Sequence, residues 1–348
     1  MLAAACAQAP TPDTAGFVYR LGRDTVGVSS VTWTGGKVSG VYVNRVPATT
    51  VVRWNADVDA DGGVQRLERT HTSDTTVTER FVVTVKGDRA VVEHTVGDSV
   101  STRRFVVTGL ALPRSPATDP GLLELHTRHL VTAGLESVIA VSFGTTDTMA
   151  LPDTLRRVAP DTVVVQGPRL RIDSAGHILN LGANAERTTL DIEALATAFG
   201  PRPLGELSPR DTVTGNVGDA TVSVAYGRPK MRGRDIFGAL VPWDAVWRTG
   251  ANNPTFLTTD KPIVIGTARV PAGTYTLWTI PAASAWTLIL SRNIGENAGA
   301  YDSTADFART AMQSGRAAEV AEQLTIVVEG GQVKLTWDNV TAAVPLRR

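Results

Sequence analysis

The first half of the chain alternates apolar and polar residues along short runs that are rich in Val and Thr. From Phe17 to about Thr108, turn residues such as Gly35-Gly36 and the KGD and VGD triplets separate these runs. Alternation with a period of two is typical of antiparallel strands that bury one face and expose the other. The pattern therefore predicts a broad, curved antiparallel sheet built from hairpins.

Two segments of this half change to the spacing of an amphipathic helix. In LLELHTRHLVTAG, Leu122, Leu125 and Leu130 recur near helical spacing, and Gly134 ends the run. Residues 190–199 predict a second, shorter helix, which ends before a glycine. We expect the first helix to lie across the sheet.

The second half of the chain returns to short strand-like runs after a stretch rich in Pro and Gly at residues 202–211. That stretch predicts a domain boundary. Residues 1–15 are then a signal remnant or disordered tether, residues 16–205 a sheet domain with helices, and residues 211–348 a β-sandwich. The predicted class is all-β with one or two short helices, a curved antiparallel sheet followed by a β-sandwich.

The segment 303–322 is the ambiguous part of the second domain. Its Ala, Glu, Arg and Gln residues favour a helix by type, and a strand is the alternative. Both alternatives stay open at this point.

Charge and composition limit the classes of partner. The chain has 348 residues with 34 Lys or Arg and 34 Asp or Glu, so its formal net charge is zero. A balanced charge lacks the basic surface that binds nucleic acid, and no nucleic-acid partner is expected. No apolar run approaches the roughly 20 residues that span a bilayer.

The single cysteine bears on the compartment. Cys6 follows LAAA, which resembles a bacterial lipoprotein cleavage box, although only five residues precede it. We expect an exported protein, periplasmic or an outer-membrane lipoprotein, that meets the membrane only through a lipid on Cys6. The alternative is an incidental cysteine in a flexible N-terminus. One cysteine allows neither an intrachain disulfide nor a thiolate metal cluster.

The densest chemistry lies between Tyr226 and Thr255, in the run YGRPKMRGRDIFGALVPWDAVWRTGANNPT. Guanidinium groups, indole faces and side-chain amides together suit a small polar or anionic ligand, or a glycan. The alternative is a scaffold in which the arginines pair with internal carboxylates and the aromatic rings form core. The predicted ligand-binding residues are Arg228, Arg234, Trp247, Arg248, Asn252, Asn253 and Tyr275.

The same run carries a family resemblance. Together with PAGTYTLWTIP, WTLILSRN and the AYD around Tyr301, it resembles the bacterial domain of unknown function 2911, from about Asp211 to the C-terminus. That family usually has an acidic residue where this chain has Asn253. The resemblance implies no activity, because the family has none established. The N-terminal part is similar to the extension often seen in exported members.

Other candidate chemistry is sparse. No nucleophile elbow, phosphate-binding loop, dinucleotide fingerprint or H-E-x-x-H helix is present, and no cofactor is expected. His126 and His129 share a helix face but are only two metal ligands. The VDADGG segment hints at a calcium loop, although an Asp-Gly hairpin turn fits its flanks better.

Two functions remain after these observations. The first is an uncharacterised exported cell-envelope protein, a ligand-binding or scaffold module. The alternative is a carboxylate-dependent hydrolase or lyase acting on an envelope glycan. In it, Asp302 or Asp306, beside Tyr301, would be the acid or base, and Arg248 would stabilise negative charge.

Overall fold

The computed structural model describes residues 12–60, 62–73, 76–107, 110–111, 120–142, 151–165, 169–181, 185–199, 202–295 and 298–348. The chain folds into two compact units, Met1–Gly205 and Glu206–Arg348. They are the N-terminal unit and the C-terminal unit below. The lipoprotein prediction at Cys6 lies outside the described residues.

The described part of the N-terminal unit contains one large sheet. Its strands are β1 (Asp13–Leu21), β2 (Asp24–Thr34), β3 (Lys37–Asn44), β4 (Thr50–Val58), β5 (Val64–Ser73), β6 (Thr76–Lys86), β7 (Arg89–Val96), β8 (Ser99–Val106), β9 (Leu110–Ala111), β10 (Ser137–Ser142), β11 (Leu151–Ala159), β12 (Thr162–Val165), β13 (Arg169–Ile172), β14 (Ile178–Leu181) and β15 (Ala185–Thr188). The order across the sheet is β8-β7-β6-β5-β4-β3-β2-β1-β15-β14-β13-β12-β11-β10-β9. Only the short β9–β10 pair is parallel among these strands.

Local turn chemistry and strand pairing set this order. The predicted Gly35-Gly36 turn joins β2 to β3, and Gly35 has a φ of 61°, which glycine adopts without strain. β1 begins at Asp13, inside the segment predicted as a tether, because Asp13 pairs with Trp33 of β2. Most neighbours in the chain are therefore neighbours in the sheet.

Two helices cover opposite faces of this sheet. Helix α1 spans Pro120–Thr132, and its Leu122, Leu125 and Leu130 are buried in a core with one face of the strands. Helix α2 spans Ile192–Phe199 and packs on the other face, over the valines of β1 to β3. The buried leucines on α1 are those that the helical spacing predicted.

The C-terminal unit has a nine-stranded sheet. Its strands are β16 (Arg210–Val217), β17 (Ala220–Gly227), β18 (Phe256–Thr259), β19 (Ile263–Ile265), β20 (Ala268–Val270), β21 (Gly273–Ile280), β22 (Ala285–Ser291), β23 (Asp306–Glu329) and β24 (Gln332–Arg347). The order across the sheet is β16-β17-β18-β21-β22-β23-β24-β19-β20.

Of the two alternatives left open for the segment 303–322, strand is the correct one from Asp306 onward. A short 3₁₀ turn at Ser303–Ala305 precedes β23, which pairs with β22 along one edge and with β24 along the other. Asp306–Gln313 pair with β22, and Gln313–Arg316 and Ala321 pair with β24. The hydrogen bonds of these ladders outweigh the modest helix preference of Ala and Glu.

The predicted fold class is confirmed. Two large antiparallel sheets that do not close, together with two short helices, make the protein all-β, in agreement with a curved sheet followed by a β-sandwich. Among the described residues, no helix combines the length and apolar character that crossing a membrane requires.

Candidate functional site

The arginine- and tryptophan-rich run forms the connection from β17 to β18. Four of its non-glycine residues have left-handed backbone angles, namely Arg232, Asp244, Thr249 and Asn252, with φ between 53° and 62°. Such angles cost energy and persist only where the surrounding structure fixes them. The connection is therefore held by specific contacts along its length.

Two of the predicted ligand-binding arginines make contacts inside the protein. Arg228 donates from Nη1 to Asp211 Oδ2 at 3.0 Å and from Nε to the Leu324 carbonyl at 3.3 Å. Arg234 donates from Nε to the Met231 carbonyl at 2.9 Å and from Nη2 to the Lys230 carbonyl at 2.7 Å. Burial, with a smaller contribution from a nearby arginine, lowers the pKa of Arg234.

Of the aromatic members of the predicted set, Tyr275 lies in the core and the half-buried Trp247 packs against it. Trp247 stacks on Trp337, and its backbone exchanges hydrogen bonds with Thr279. Tyr275 is 6% exposed and donates its hydroxyl to the Pro271 carbonyl at 3.2 Å. These rings stabilise the unit through burial.

The other three predicted residues lie together at the surface, on the Arg248–Asn253 turn (residues 248–253). Arg248, Asn252 and Asn253 are all exposed. Arg248 donates from Nη1 to the Asn252 carbonyl at 3.2 Å, and within the described residues its other donors have no hydrogen-bond partner. Within the described part of the chain, neither asparagine side chain has a hydrogen-bond partner.

The backbone of the Arg248–Asn253 turn is fixed from beneath. Thr249 Oγ1 lies 2.9 Å from Thr279 Oγ1, and Thr255 Oγ1 donates to the Thr249 carbonyl at 3.0 Å. A Cβ atom on Gly227 would lie 2.1 Å from the Ala251 carbonyl oxygen, so only glycine permits this approach. The exposed side chains therefore project from a turn with little freedom.

A polar cluster lies at the start of β23. Tyr301 donates its hydroxyl to Asp306 Oδ2 at 2.8 Å, and Arg309 donates to the same oxygen from Nε at 2.9 Å and from Nη2 at 2.7 Å. Asp306 Oδ1 is buried and has no partner among the described residues. Burial, followed by the hydrogen bond to Asp306, raises the pKa of Tyr301.

The loop before this cluster reaches the Arg248–Asn253 turn. A Cβ atom on Gly299 would lie 4.0 Å from Pro254 Cγ, and Pro254 directly follows the turn. Tyr301 packs its ring edge-on against Trp278, with centroids 5.3 Å apart. The turn and the loop that carries Tyr301 are therefore adjacent.

The two carboxylates of the predicted pair have different partners. Asp302 caps the 3₁₀ turn, where its Oδ1 accepts from Thr304 Oγ1 at 2.7 Å and from Thr304 N at 2.9 Å. These hydrogen bonds lower the pKa of Asp302. Asp306 instead pairs with Arg309, a residue that sequence reasoning missed. In a regular strand, residues three apart point to opposite faces of the sheet, so Asp306 and Arg309 would not meet. The pairing of β22 with β23 shifts register between Leu290 and Ser291, next to Asp306, and the strand is therefore irregular at this point.

The histidine pair of helix α1 offers two potential metal ligands, and no metal site is predicted from it. His126 is 3% exposed, and its Nδ1 lies 3.1 Å from the carbonyl of Leu122 in its own helix. Across the ranges described above, no group of three or more His, Cys, Asp or Glu side chains is arranged to hold a metal ion. In the VDADGG segment, Asp59 accepts from the Gly63 amide at 2.7 Å, while Asp61 lies outside the described residues.

Fold and site define an all-β protein with a two-sheet architecture and a polar surface turn on its C-terminal unit. Residues 208–346 match the family described as Protein of unknown function (DUF2911), which confirms the resemblance predicted for the C-terminal part. No curated protein matches the chain.

Two solved structures are similar to part of the chain. One is a DUF1089 family protein from Pseudomonas aeruginosa, at 11% identity and a TM-score of 0.34, covering 47% of this chain and 92% of that one. The other is a beta-barrel-like protein of the domain of unknown function DUF1849 from Brucella abortus, at 11% identity and a TM-score of 0.34, covering 53% of this chain and 98% of that one.

Proposed function

We propose that this is an exported cell-envelope protein whose C-terminal unit binds a small polar or anionic ligand at the Arg248–Asn253 turn. The observation that carries the proposal is the exposure of Arg248, Asn252 and Asn253 together on a fixed backbone. A preorganised set of donors loses little conformational freedom when it binds a ligand.

The side chains indicate the chemistry of that ligand. The planar guanidinium of Arg248 can donate two parallel hydrogen bonds to a carboxylate, sulfate or phosphate. The amides of Asn252 and Asn253 both donate and accept, so they suit the hydroxyl groups of a sugar. A sugar that carries a carboxylate, or a simple oxyanion, combines these features. Envelope glycans supply such groups.

The scaffold interpretation fits some of the seven predicted ligand-binding residues, and the binding interpretation fits the others. Arg228, Arg234, Trp247 and Tyr275 make internal contacts that support the connection. Arg248 and the two asparagines are left for a ligand. This division explains why so many Arg and Trp residues occur in one run.

The hydrolase or lyase alternative has less support. A general acid or base must reach the substrate and exchange a proton with it. Asp302 is engaged by Thr304, and Asp306 Oδ2 already accepts from Tyr301 and Arg309. Binding without chemistry is therefore the function that the geometry favours.

Export belongs to the same proposal. The LAAAC sequence at Cys6 supports a lipid-anchored protein of the periplasm or outer membrane, and the balanced charge of the chain gives no support to a nucleic-acid partner. A palmitate-labelling experiment on the protein expressed from its own gene in a bacterial host tests the anchor. Incorporation that is abolished by Cys6→Ala supports it, and no incorporation contradicts it.

A matched ligand pair tests the binding site. We expect D-galacturonate to raise the thermal unfolding midpoint saturably and D-galactose to raise it less, because only the former offers a carboxylate to Arg248. Arg248→Ala should abolish the difference between the two sugars. Arg269→Ala, at an exposed arginine of β20, is the control that should retain it. Inorganic phosphate and sulfate extend the panel to oxyanions.

An equal response of the parent and Arg248→Ala would remove the turn as the binding site. A parent that responds to no anion in the panel would also contradict the proposal.

A further inference from the structure

A second polar surface lies on the N-terminal unit, on the sheet face that carries α2. It is a groove of about 540 Å³ beside the start of the helix, which we call the β1–β4 groove. This volume falls within the range of small-molecule sites, roughly 300–1,000 Å³. Its polar lining includes Thr14, Ser30, Thr32, Ser39, Asn55 and Thr189, with Arg53, Asp191 and Glu193 as its charged residues.

Strand register aligns the floor of this groove. Thr14 pairs with Thr32, Thr32 with Ser39, and Ser39 with Asn55, so four polar side chains cross β1, β2, β3 and β4 in one row. Neighbouring strands lie about 4.8 Å apart, which sets the spacing of the row. Ser30 lies one row away on the same face. The result is a ladder of hydroxyl and amide groups.

The wall of the groove comes from the first turn of α2. A Cβ atom on Gly16 would lie 2.8 Å from Ile192 Cγ1, so the glycine lets the helix start close to the sheet. Asp191 caps the helix by accepting from the Ala194 amide at 3.0 Å. The wall is therefore tied to the sheet and to its own helix.

Most groups in the ladder are available to a ligand. Thr14 Oγ1 and Thr32 Oγ1 lie 3.0 Å apart and share one hydrogen bond. Within the described ranges, Ser30, Ser39 and Asn55 have no side-chain hydrogen bond. Each can both donate and accept. A ligand with many hydroxyl groups satisfies such a surface, whereas an aliphatic ligand would leave these groups unpaired.

Charge at the rim of the groove disfavours the anionic ligands proposed for the C-terminal unit. Arg53 and Glu193 form a pair at 3.4 Å, and Asp191 adds a second carboxylate. The rim thus has more negative than positive groups, which opposes an anion. The Arg248–Asn253 turn, by contrast, presents an exposed guanidinium. The two sites differ in the charge of the ligand that they accept.

We infer that the β1–β4 groove binds a neutral polyhydroxylated ligand, of the class of short oligosaccharides, through the row Thr32, Ser39 and Asn55. The inference rests on strand register and groove chemistry in the N-terminal unit, and it does not depend on the function proposed for the C-terminal unit.

Calorimetric titration of the full chain tests the inference with three neutral probes, maltotetraose, cellotetraose and chitotetraose. At least one probe should bind saturably to the parent. Asn55→Ala and Ser39→Ala should each weaken that binding by about five-fold or more, because each removes a hydrogen bond to the ligand. Both residues are exposed, and thermal unfolding of each variant checks that the fold is retained.

Two control variants make the result specific. Asn180→Ala removes a matched amide elsewhere in the same sheet, and Arg248→Ala removes the guanidinium of the other proposed site. Both should bind the probe as the parent does. The inference is overturned if none of the three probes binds the parent, if Asn55→Ala and Ser39→Ala bind unchanged, or if Arg248→Ala abolishes the binding.

Discussion

Trp247 lies stacked on Trp337, with ring centroids 6.0 Å apart and ring planes 18° apart. Phe237 and Trp286 contact the same indole edge-on, each at a centroid distance of 6.3 Å. Because Trp247 directly precedes Arg248, this packing positions the exposed turn. Aromatic contacts of this kind add stability beyond the area that they bury.

Replacing Trp247 should therefore cost stability. We expect Trp247→Ala to lower the free energy of unfolding by about 3 kcal/mol, measured by urea denaturation. Trp243→Ala is the matched control, because this side chain is 40% exposed, and its cost should be about 1 kcal/mol. A Trp247→Ala variant as stable as the parent would place the indole outside the core.

Glu124 is the most buried charge of the described network around α1. Its side chain is fully buried, with Oε1 at 2.9 Å from Arg128 Nη2 and Oε2 at 2.6 Å from Arg187 Nη1. Glu124→Ala leaves both arginines without this carboxylate, and we expect the free energy of unfolding to fall by about 3–5 kcal/mol. Glu193→Ala, at an exposed ion pair with Arg53, should cost less than about 1 kcal/mol. Equal costs in urea denaturation would contradict this account.

His71 gives the N-terminal unit a pH dependence in a mild range. Burial, then the charge of Arg69, lowers the pKa of His71. Glu79 raises this pKa by a smaller amount, and His94, the smallest cause, lowers it. The unfolded chain then binds a proton at about pH 6.5, where the folded chain does not. Stability from this group is present above that pH and is lost as the pH falls through the lower folded pKa.

We expect the unfolding free energy of the parent to decrease between about pH 7 and about pH 5. His71→Gln should show a smaller decrease over the same interval. An NMR titration of the His71 imidazole gives the direct check, since a pKa at or above about 6.5 would be incompatible with this explanation.

Tyr301 should titrate above the usual tyrosine range. Burial comes first among the causes, and the hydrogen bond from its hydroxyl to Asp306 comes second. We expect an ultraviolet titration, taken as the difference between the parent and Tyr301→Phe, to give a pKa above about 10. Asp306→Asn removes the negative charge and should move this pKa down. If that variant leaves the pKa unchanged, the cluster at β23 is not formed in solution.

Local features of the sequence predicted much of the fold. Turns such as Gly35-Gly36 and the period of the apolar residues, two in strands and 3.6 in helices, are set by residues close together in the chain. Hairpins and helix α1 could therefore be identified from the sequence. Strand β23 could not, because its state depends on pairing with β22 and β24. Residue type alone gave the wrong preference there.

The sequence predicted which residues belong to the candidate site, and it did not predict how they are arranged in space. The run from Tyr226 to Thr255 is unusual by residue type, and this identified Arg248, Asn252 and Asn253 as candidates. Which arginines pair internally depends on residues distant in sequence, as with Arg228 and Asp211. The β1–β4 groove was missed because its row of polar residues exists only through the register of four strands.

Ligand binding at the Arg248–Asn253 turn is tested most sharply by an NMR titration of the parent protein with D-galacturonate, observed at side-chain resonances. We expect saturable shifts of the Arg248 Nε–H and of the Asn252 and Asn253 amide groups, with one dissociation constant, and no such shifts for Arg269. Shifts confined to other residues, or none at concentrations where galacturonate stabilises the protein, would contradict the assignment of the Arg248–Asn253 turn as the ligand site.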